Sequence, residues 1–144
     1  MPVNAILGGH SISSEFIEVV IPAFNGEDLI KDCISSVAAA LPDSRITVVN
    51  DCSSDRTSEI VSKEFPNVNI INNEGNIGFG QSCNVGSFQS DRDWVLLLNQ
   101  DANLINVPVE KESELVFDIT SGNSIVSNFA KPVPLSIILF EETS

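Results

Sequence analysis

At 144 residues the chain accommodates one domain, and its 42% of hydrophobic residues, gathered in long runs, suffice for a core despite a formal net charge of −13. The 20 acidic side chains outnumber 7 basic ones that are sparse and scattered, which excludes a face for nucleic-acid phosphates or for charge-driven docking on anionic lipid. An anionic ligand of this chain therefore needs help from a cation or from backbone N–H groups.

Residues 1–15 read as a loose leader with small residues and Gly8-Gly9. It lacks a basic n-region and a long apolar run, so it is not a signal peptide, and the lone histidine, His10, is a solvated bystander. Residues 16–21 (FIEVVI) form a buried strand that Pro22 stops. Residues 27–41 carry Leu29, Ile30, Ile34, Val37 and Ala38 at helical spacing, with Glu27 and Asp28 at the positive end of the helix dipole. Residues 45–50 (RITVVN) are a second strand, followed by the polar run 51–55 and a helical stretch to Phe65. A third strand spans 68–71, a Gly-containing loop 72–78, a weakly patterned helix 79–88, and a fourth buried strand 94–98 (WVLLL). Beyond Asn103 the pattern weakens: a short helix falls within 107–119, and short strands at 125–129 and 136–140 flank Pro132 and Pro134. No apolar stretch approaches the ~20 residues that span a bilayer. The division expected is a leader 1–15, an α/β domain 16–104, and a C-terminal extension 105–144 packing on the same domain.

The order β-α-β-α-β-α-β with near-continuous apolar strands predicts an α/β fold. It is a mostly parallel sheet with helices on both faces. Right-handed crossovers bring the loops after the strands to one edge, where ligands bind in such sheets. The polar clusters at 22–28, 50–55, 72–80 and 99–103 therefore converge in space.

Four clusters lie on that edge. Residues 21–27 (IPAFNGE) have the composition of an ordinary βα turn. In 49–57 (VNDCSSDRT), Ser53, Ser54 or Asp55 can cap the next helix, but capping accounts for one or two polar residues and not for six in a row. Asp51 sits at a strand end, where a carboxylate can accept from a ribose hydroxyl or a base N–H. Gly78-Phe79-Gly80 in the third cluster matches the dinucleotide fingerprint only in part and follows the wrong strand, which disfavours a dinucleotide oxidoreductase. In the fourth, Leu98-Asn99-Gln100-Asp101, Asp101 suits a hard cation that takes its other ligands from diphosphate oxygens and water. A cation bridging protein and diphosphate reconciles an acidic chain with an anionic ligand. With one histidine, neither a Ser/His/Asp triad nor a Cys/His pair nor a zinc-hydrolase site can be built, and Cys33, Cys52 and Cys83 read as reduced thiols of a cytoplasmic protein.

Together the clusters resemble family 2 of the glycosyltransferases, inverting nucleotide-sugar enzymes of GT-A, Rossmann-like fold. Residues 19–25 (VVIPAFN) look like the family's V-x-I-P-x-[YF]-N opening, and 46–57 like its V-[DN]-D-G-S-x-D-x-T block. Residues 73–86 look like N-x-G-F-x-x-x-x-N-x-G of the rhamnosyltransferase-like branch, and 96–102 like its L-L-N-x-D form of the D-x-D region. The resemblance implies a nucleotide site at Pro22, Ala23, Asn25, Glu27, Asp51, Asn76 and Gly78, with Asp51 bonding the base. It implies Mg2+ or Mn2+ at Asp101, with Asn99 in the first D-x-D place, where an amide is the weaker ligand. Cys52 replaces the usual Gly of its turn.

The match ends near Asn103, short of the family's acceptor half and of its general base, commonly an Asp in an E-D pair. Neither Glu112 nor Glu114 sits in such a motif, so the base carries no assignment. The expectation is a cut-short donor half that transfers a sugar from a UDP- or dTDP-sugar to a carbohydrate or lipid-linked acceptor. Such work belongs to cell-surface polysaccharide synthesis, in the cytoplasm or peripherally at the inner membrane face. The rival reading is a non-catalytic remnant that binds nucleotide or only folds. An open sheet edge where the second half belongs favours a homodimer.

Overall fold

The computed structural model describes residues 4–7, 10–104 and 136–138. The sequence-predicted helix in 107–119 and strand at 125–129 lie outside the described residues. Strands β1 (Asn4–Leu7) and β2 (His10–Ser13) pair antiparallel as a hairpin where a loose leader was expected, and a 3-10 turn (Ser14–Phe16) leads out of it. Next come β3 (Ile17–Ala23), α1 (Ile30–Ala40), β4 (Arg45–Asn50), α2 (Thr57–Glu64) and β5 (Asn69–Asn72). Then follow α3 (Phe79–Phe88), β6 (Trp94–Leu97) and β7 (Ser136–Ile138). The main sheet has the order β5-β4-β3-β6-β7, and every pairing in it is parallel. The chain steps outward from β3 to β5, then returns to the other side of β3 at β6, so the crevice between β3 and β6 is the point where winding reverses.

Alternation along the strands feeds two cores. Val19, Ile21, Val48, Leu96 and Leu98 face Ile30, Cys33, Ile34 and Val37 of α1 and Val61 of α2. Val20, Val49, Val95 and Leu97 face Cys83 of α3. Burial on both sides is the reason these strands read as unbroken apolar runs. The buried face of α3 is made of Ser82, Cys83, Gly86 and Ser87, small residues that let the helix lie close to the sheet. That explains its weak apolar pattern. A Cβ on Gly86 would stand 2.4 Å from Val20 Cγ1 and 3.1 Å from Val49 Cγ2. The buried Ser87 hydroxyl is satisfied by donating to the Cys83 carbonyl at 2.7 Å.

Two local details differ from expectation. Pro22 does not stop β3, which runs on to Ala23 in register with β4. The Val20 carbonyl accepts from Leu98 N–H, on the β6 side, and the Ala23 carbonyl accepts from Asp51 N–H, on the β4 side. Pro22 therefore directs its missing donor toward β6, where that strand has already ended, and no ladder bond is lost. Glu18, within the apolar run, is buried because it stands in register with Arg45, whose Nε donates to it at 2.8 Å while Nη2 reaches Asp91 at 2.6 Å. Unpartnered, that carboxylate could not be buried.

Cys52, in the turn after β4, has φ 61, a left-handed conformation that a side chain disfavours. Cys52→Gly is expected to raise stability by about 1 kcal/mol, the strain relieved being larger than the entropy added to the unfolded chain. Gly86→Ala is expected to cost about 1–3 kcal/mol through overpacking against Val20. Urea denaturation of the three proteins checks both.

Candidate functional site

The carboxyl ends of β3, β4 and β6 open into a cavity of about 460 Å3. Pro22, Ala23, Asp51, Asn76, Gly78, Asn99 and Asp101 line it, so seven side chains or backbones singled out from four separate stretches of sequence meet in one place. Phe24, Leu29, Phe79, Ser82 and Gln100 complete the wall. Phe24 is 46% exposed, Leu29 45% and Phe79 36%, an apolar surface that no core packing requires.

Asp51 is buried beneath the cavity. Its Oδ1 accepts from Ile77 N–H at 2.8 Å and from Asn73 Nδ2 at 3.1 Å, its Oδ2 from Gly78 N–H at 2.9 Å. Burial pushes the carboxyl up, but the donors at Ile77, Asn73, Gly78 and Ser82 outweigh it and hold its pKa below the ordinary carboxylate value. The loop 73–78, which follows β5, is thereby tied to the end of β4. Four donors thus meet this carboxylate, three from the loop and one, Ser82, from α3.

Asn25 and Glu27 lie outside the cavity lining. They hold the loop after β3 to the loop after β4. Asn25 N–H donates to Ser53 Oγ at 3.0 Å, and Asn25 Oδ1 accepts from Ser54 N–H at 2.9 Å. Glu27 N–H donates to Asp55 Oδ2 at 3.0 Å, while Glu27 Oε2 accepts from Arg56 N–H at 3.3 Å. Gly26 N–H adds a bond to Thr57 Oγ1 at 2.9 Å. Asp55 also accepts from Thr57 N–H, the first of α2, at 3.0 Å. This clasp is the reason for the polar run after β4: each residue of 53–57 bonds the loop after β3.

The loop after β6 is fixed from both sides. Below it, the buried Cys33 thiol of α1 donates to the Asn99 carbonyl at 3.4 Å. Burial first, and the charge of Asp101 second, push that thiol up to about 12, so it stays neutral and is no nucleophile. Beside it, Gln100 bonds the backbone of Phe24: Phe24 N–H donates to Oε1 at 3.0 Å and Nε2 donates to the Phe24 carbonyl at 3.0 Å. Asp101 is exposed, and among the described residues no cluster of three His, Cys, Asp or Glu could hold a metal ion unaided. One carboxylate with a neighbouring amide fits a cation that brings its remaining ligands with a diphosphate and water.

Sequence reasoning missed Phe24, Phe79 and Gln100. The two aromatics carried a readable signal, since Phe24 stands in a polar loop and Phe79 at the first residue of α3, after a polar loop. Gln100 carried none, because its role rests on where Phe24 lies in space.

A sequence model of the family described as Glycosyl transferase family 2 matches residues 18–105. An uncharacterized glycosyltransferase of Haemophilus influenzae is 29% identical over 101 residues, covering 69% of this chain and 34% of that protein. The crystal structure of Staphylococcus aureus TarS 1–349 in complex with UDP superposes with a TM-score of 0.58 at 30% identity, over 68% of this chain and 30% of that one. TarS is a poly(ribitol-phosphate) beta-N-acetylglucosaminyltransferase. The mannosyltransferase PcManGT of Pyrobaculum calidifontis, in complex with GDP-Man and Mn2+, shares the fold with a TM-score of 0.56 at 17% identity, over 62% of this chain and 28% of that one. The chain thus spans about a third or less of the length of these relatives. Its four loop motifs, the parallel sheet that gathers them and the family match agree: the chain belongs to glycosyl transferase family 2, with a GT-A, Rossmann-like fold.

Proposed function

We propose that residues 16–104 bind a nucleotide-diphosphate sugar, a UDP- or dTDP-sugar, and present its anomeric carbon for inverting transfer to a carbohydrate or lipid-linked acceptor. What carries the reading is the convergence of Asp51, Asn76, Gly78, Asn99 and Asp101 on one cavity at the reversal point of a parallel sheet. The identity with TarS, crystallised with UDP, supports a uridine-type donor.

Asp51, beneath the cavity, is the carboxylate nearest the base, and the exposed ring of Phe24 offers the base a face to stack on. Asn76 and Gly78 line the wall toward the ribose. Asp101, with Asn99, would hold Mg2+ or Mn2+, whose chemistry is to neutralise the charge that gathers on the leaving diphosphate. The carboxylate that takes the acceptor's proton carries no assignment among these residues. Among the described residues no helix is long and apolar enough to cross a membrane. The setting proposed is cytoplasmic synthesis of a surface polysaccharide.

Calorimetric titration with UDP and Mn2+ is expected to give saturable binding, and Asp101→Ala to weaken it at least ten-fold while leaving the affinity for uridine unchanged. No heat with millimolar UDP would sink the nucleotide reading, and an unaltered UDP affinity in Asp101→Ala would remove that residue from the site. Asp51→Asn is expected to lose nucleotide binding and about 1–3 kcal/mol of stability, since the loop 73–78 loses its charged acceptor.

The pH dependence has a definite sign. Asp51 and Asp55 have folded-state pKa values below their unfolded ones. The stability they contribute is full above the unfolded value of about 4 and is lost as pH falls through the lowered values. Unfolding curves should therefore be flat from neutrality to about pH 4 and drop below it. A drop centred near pH 6.5, where histidine titrates, contradicts the assignment.

A further inference from the structure

We infer that Gln100 is a positioning residue that joins the two walls of the donor site, and that Gly26 is the vacancy it requires. The inference rests on the nucleotide reading above and concerns how this chain assembles that site. The β3–β6 ladder has its last backbone bond at Leu98 N–H to the Val20 carbonyl. In a parallel strand the groups of residues 20, 22 and 24 point to the same side, toward β6. Pro22 has no donor there. Phe24 has both donor and acceptor, with no β6 backbone left to meet them. The Gln100 carboxamide takes that place with one acceptor and one donor, each at 3.0 Å, and so adds a rung made of a side chain.

The rung has consequences for both ends. Gln100 sits next to Asp101, the carboxylate assigned to the cation, and its partner is the backbone that carries the Phe24 ring. The distance between the diphosphate end and the base end of the cavity is then set by one carboxamide. No other residue type reproduces it: Asn falls a methylene short, and Glu, ionised, accepts from Phe24 N–H but sets a second oxygen against the carbonyl.

Gly26 is the complement. A Cβ there would lie 2.2 Å from Gln100 Oε1 and 2.8 Å from its Cδ, so any side chain at position 26 expels the carboxamide from the rung. The φ of Gly26 is not in the left-handed region, so Gly26→Ala disturbs the site through this contact rather than through backbone strain.

The test uses Gln100→Ala, Gly26→Ala and the double variant in the full chain, with amide exchange and UDP–Mn2+ calorimetry. Without ligand, Phe24 N–H is expected to exchange at least ten-fold faster in each variant, while Leu98 and Asp51 N–H keep wild-type rates. UDP–Mn2+ affinity is expected to fall about ten-fold in either single variant, and the double variant to be no weaker than the singles, because both remove the same rung. Exchange at Phe24 unchanged in Gln100→Ala overturns the rung. Faster exchange with wild-type UDP affinity, or losses that add in the double variant, overturns the positioning role. If wild-type protein itself takes up no UDP, the nucleotide reading falls and the positioning role with it. If wild-type binds UDP and Gln100→Ala binds it equally well, the role of Gln100 falls alone.

Discussion

A buried carboxylate is costly unless its oxygens are met by donors, and Asp51 is placed where few donors exist by default. It stands at the end of β4, buried, with its own N–H given to the Ala23 carbonyl of β3. Its oxygens are met by the loop that follows β5, through Ile77, Gly78 and the Asn73 amide. One residue thus holds together the ends of β3 and β4 and the entry to α3. Removing its charge weakens four donors' bonds at once, Ser82 among them, and the cavity wall formed by Asn76 and Gly78 loses its anchor.

The rest of the ligand edge follows the same economy. The chain has few cations, and the ion pairs given for the described residues lie on helix surfaces or, with Arg45, around Glu18 on the far side of Pro22 from the cavity. At the edge itself, order comes from backbone amides and short polar side chains. Asn25, Glu27, Ser53 and Asp55 clasp two βα loops, Cys33 holds the Asn99 carbonyl, and Gln100 holds Phe24. Among the described residues that line it, the cavity carries acidic groups and no Lys or Arg, which is the electrostatic setting in which a divalent cation can join carboxylate to diphosphate.

Much of this was legible in the sequence. The central strands read correctly because burial on both faces leaves a continuous apolar run, which few other elements imitate. α3 was placed correctly at Phe79–Phe88 although its pattern is faint, because its buried face consists of small residues that give no hydrophobic period. The end of β3 was misread at Pro22. Whether a proline ends a strand depends on which neighbour its missing donor faces, and that is a property of the sheet. The pairing of strands Asn4–Leu7 and His10–Ser13 was missed, each being four residues long. At the site, motif order identified Asp51, Asn76, Gly78, Asn99 and Asp101 as edge residues. It also counted Asn25 and Glu27 as ligand contacts, whereas their polar atoms serve the clasp between loops.

By itself, then, the sequence determined the class of fold, the edge on which chemistry gathers and the family to which the chain belongs. These follow from local patterns, apolar runs and motifs in order, each carried by neighbours along the chain. The tertiary structure decided which polar residues face the cavity and which hold its walls, and it brought Gln100 to Phe24 across 76 positions of sequence. Such pairings have no local signature, because a hydrogen bond between two loops depends on the packing of the sheet beneath them.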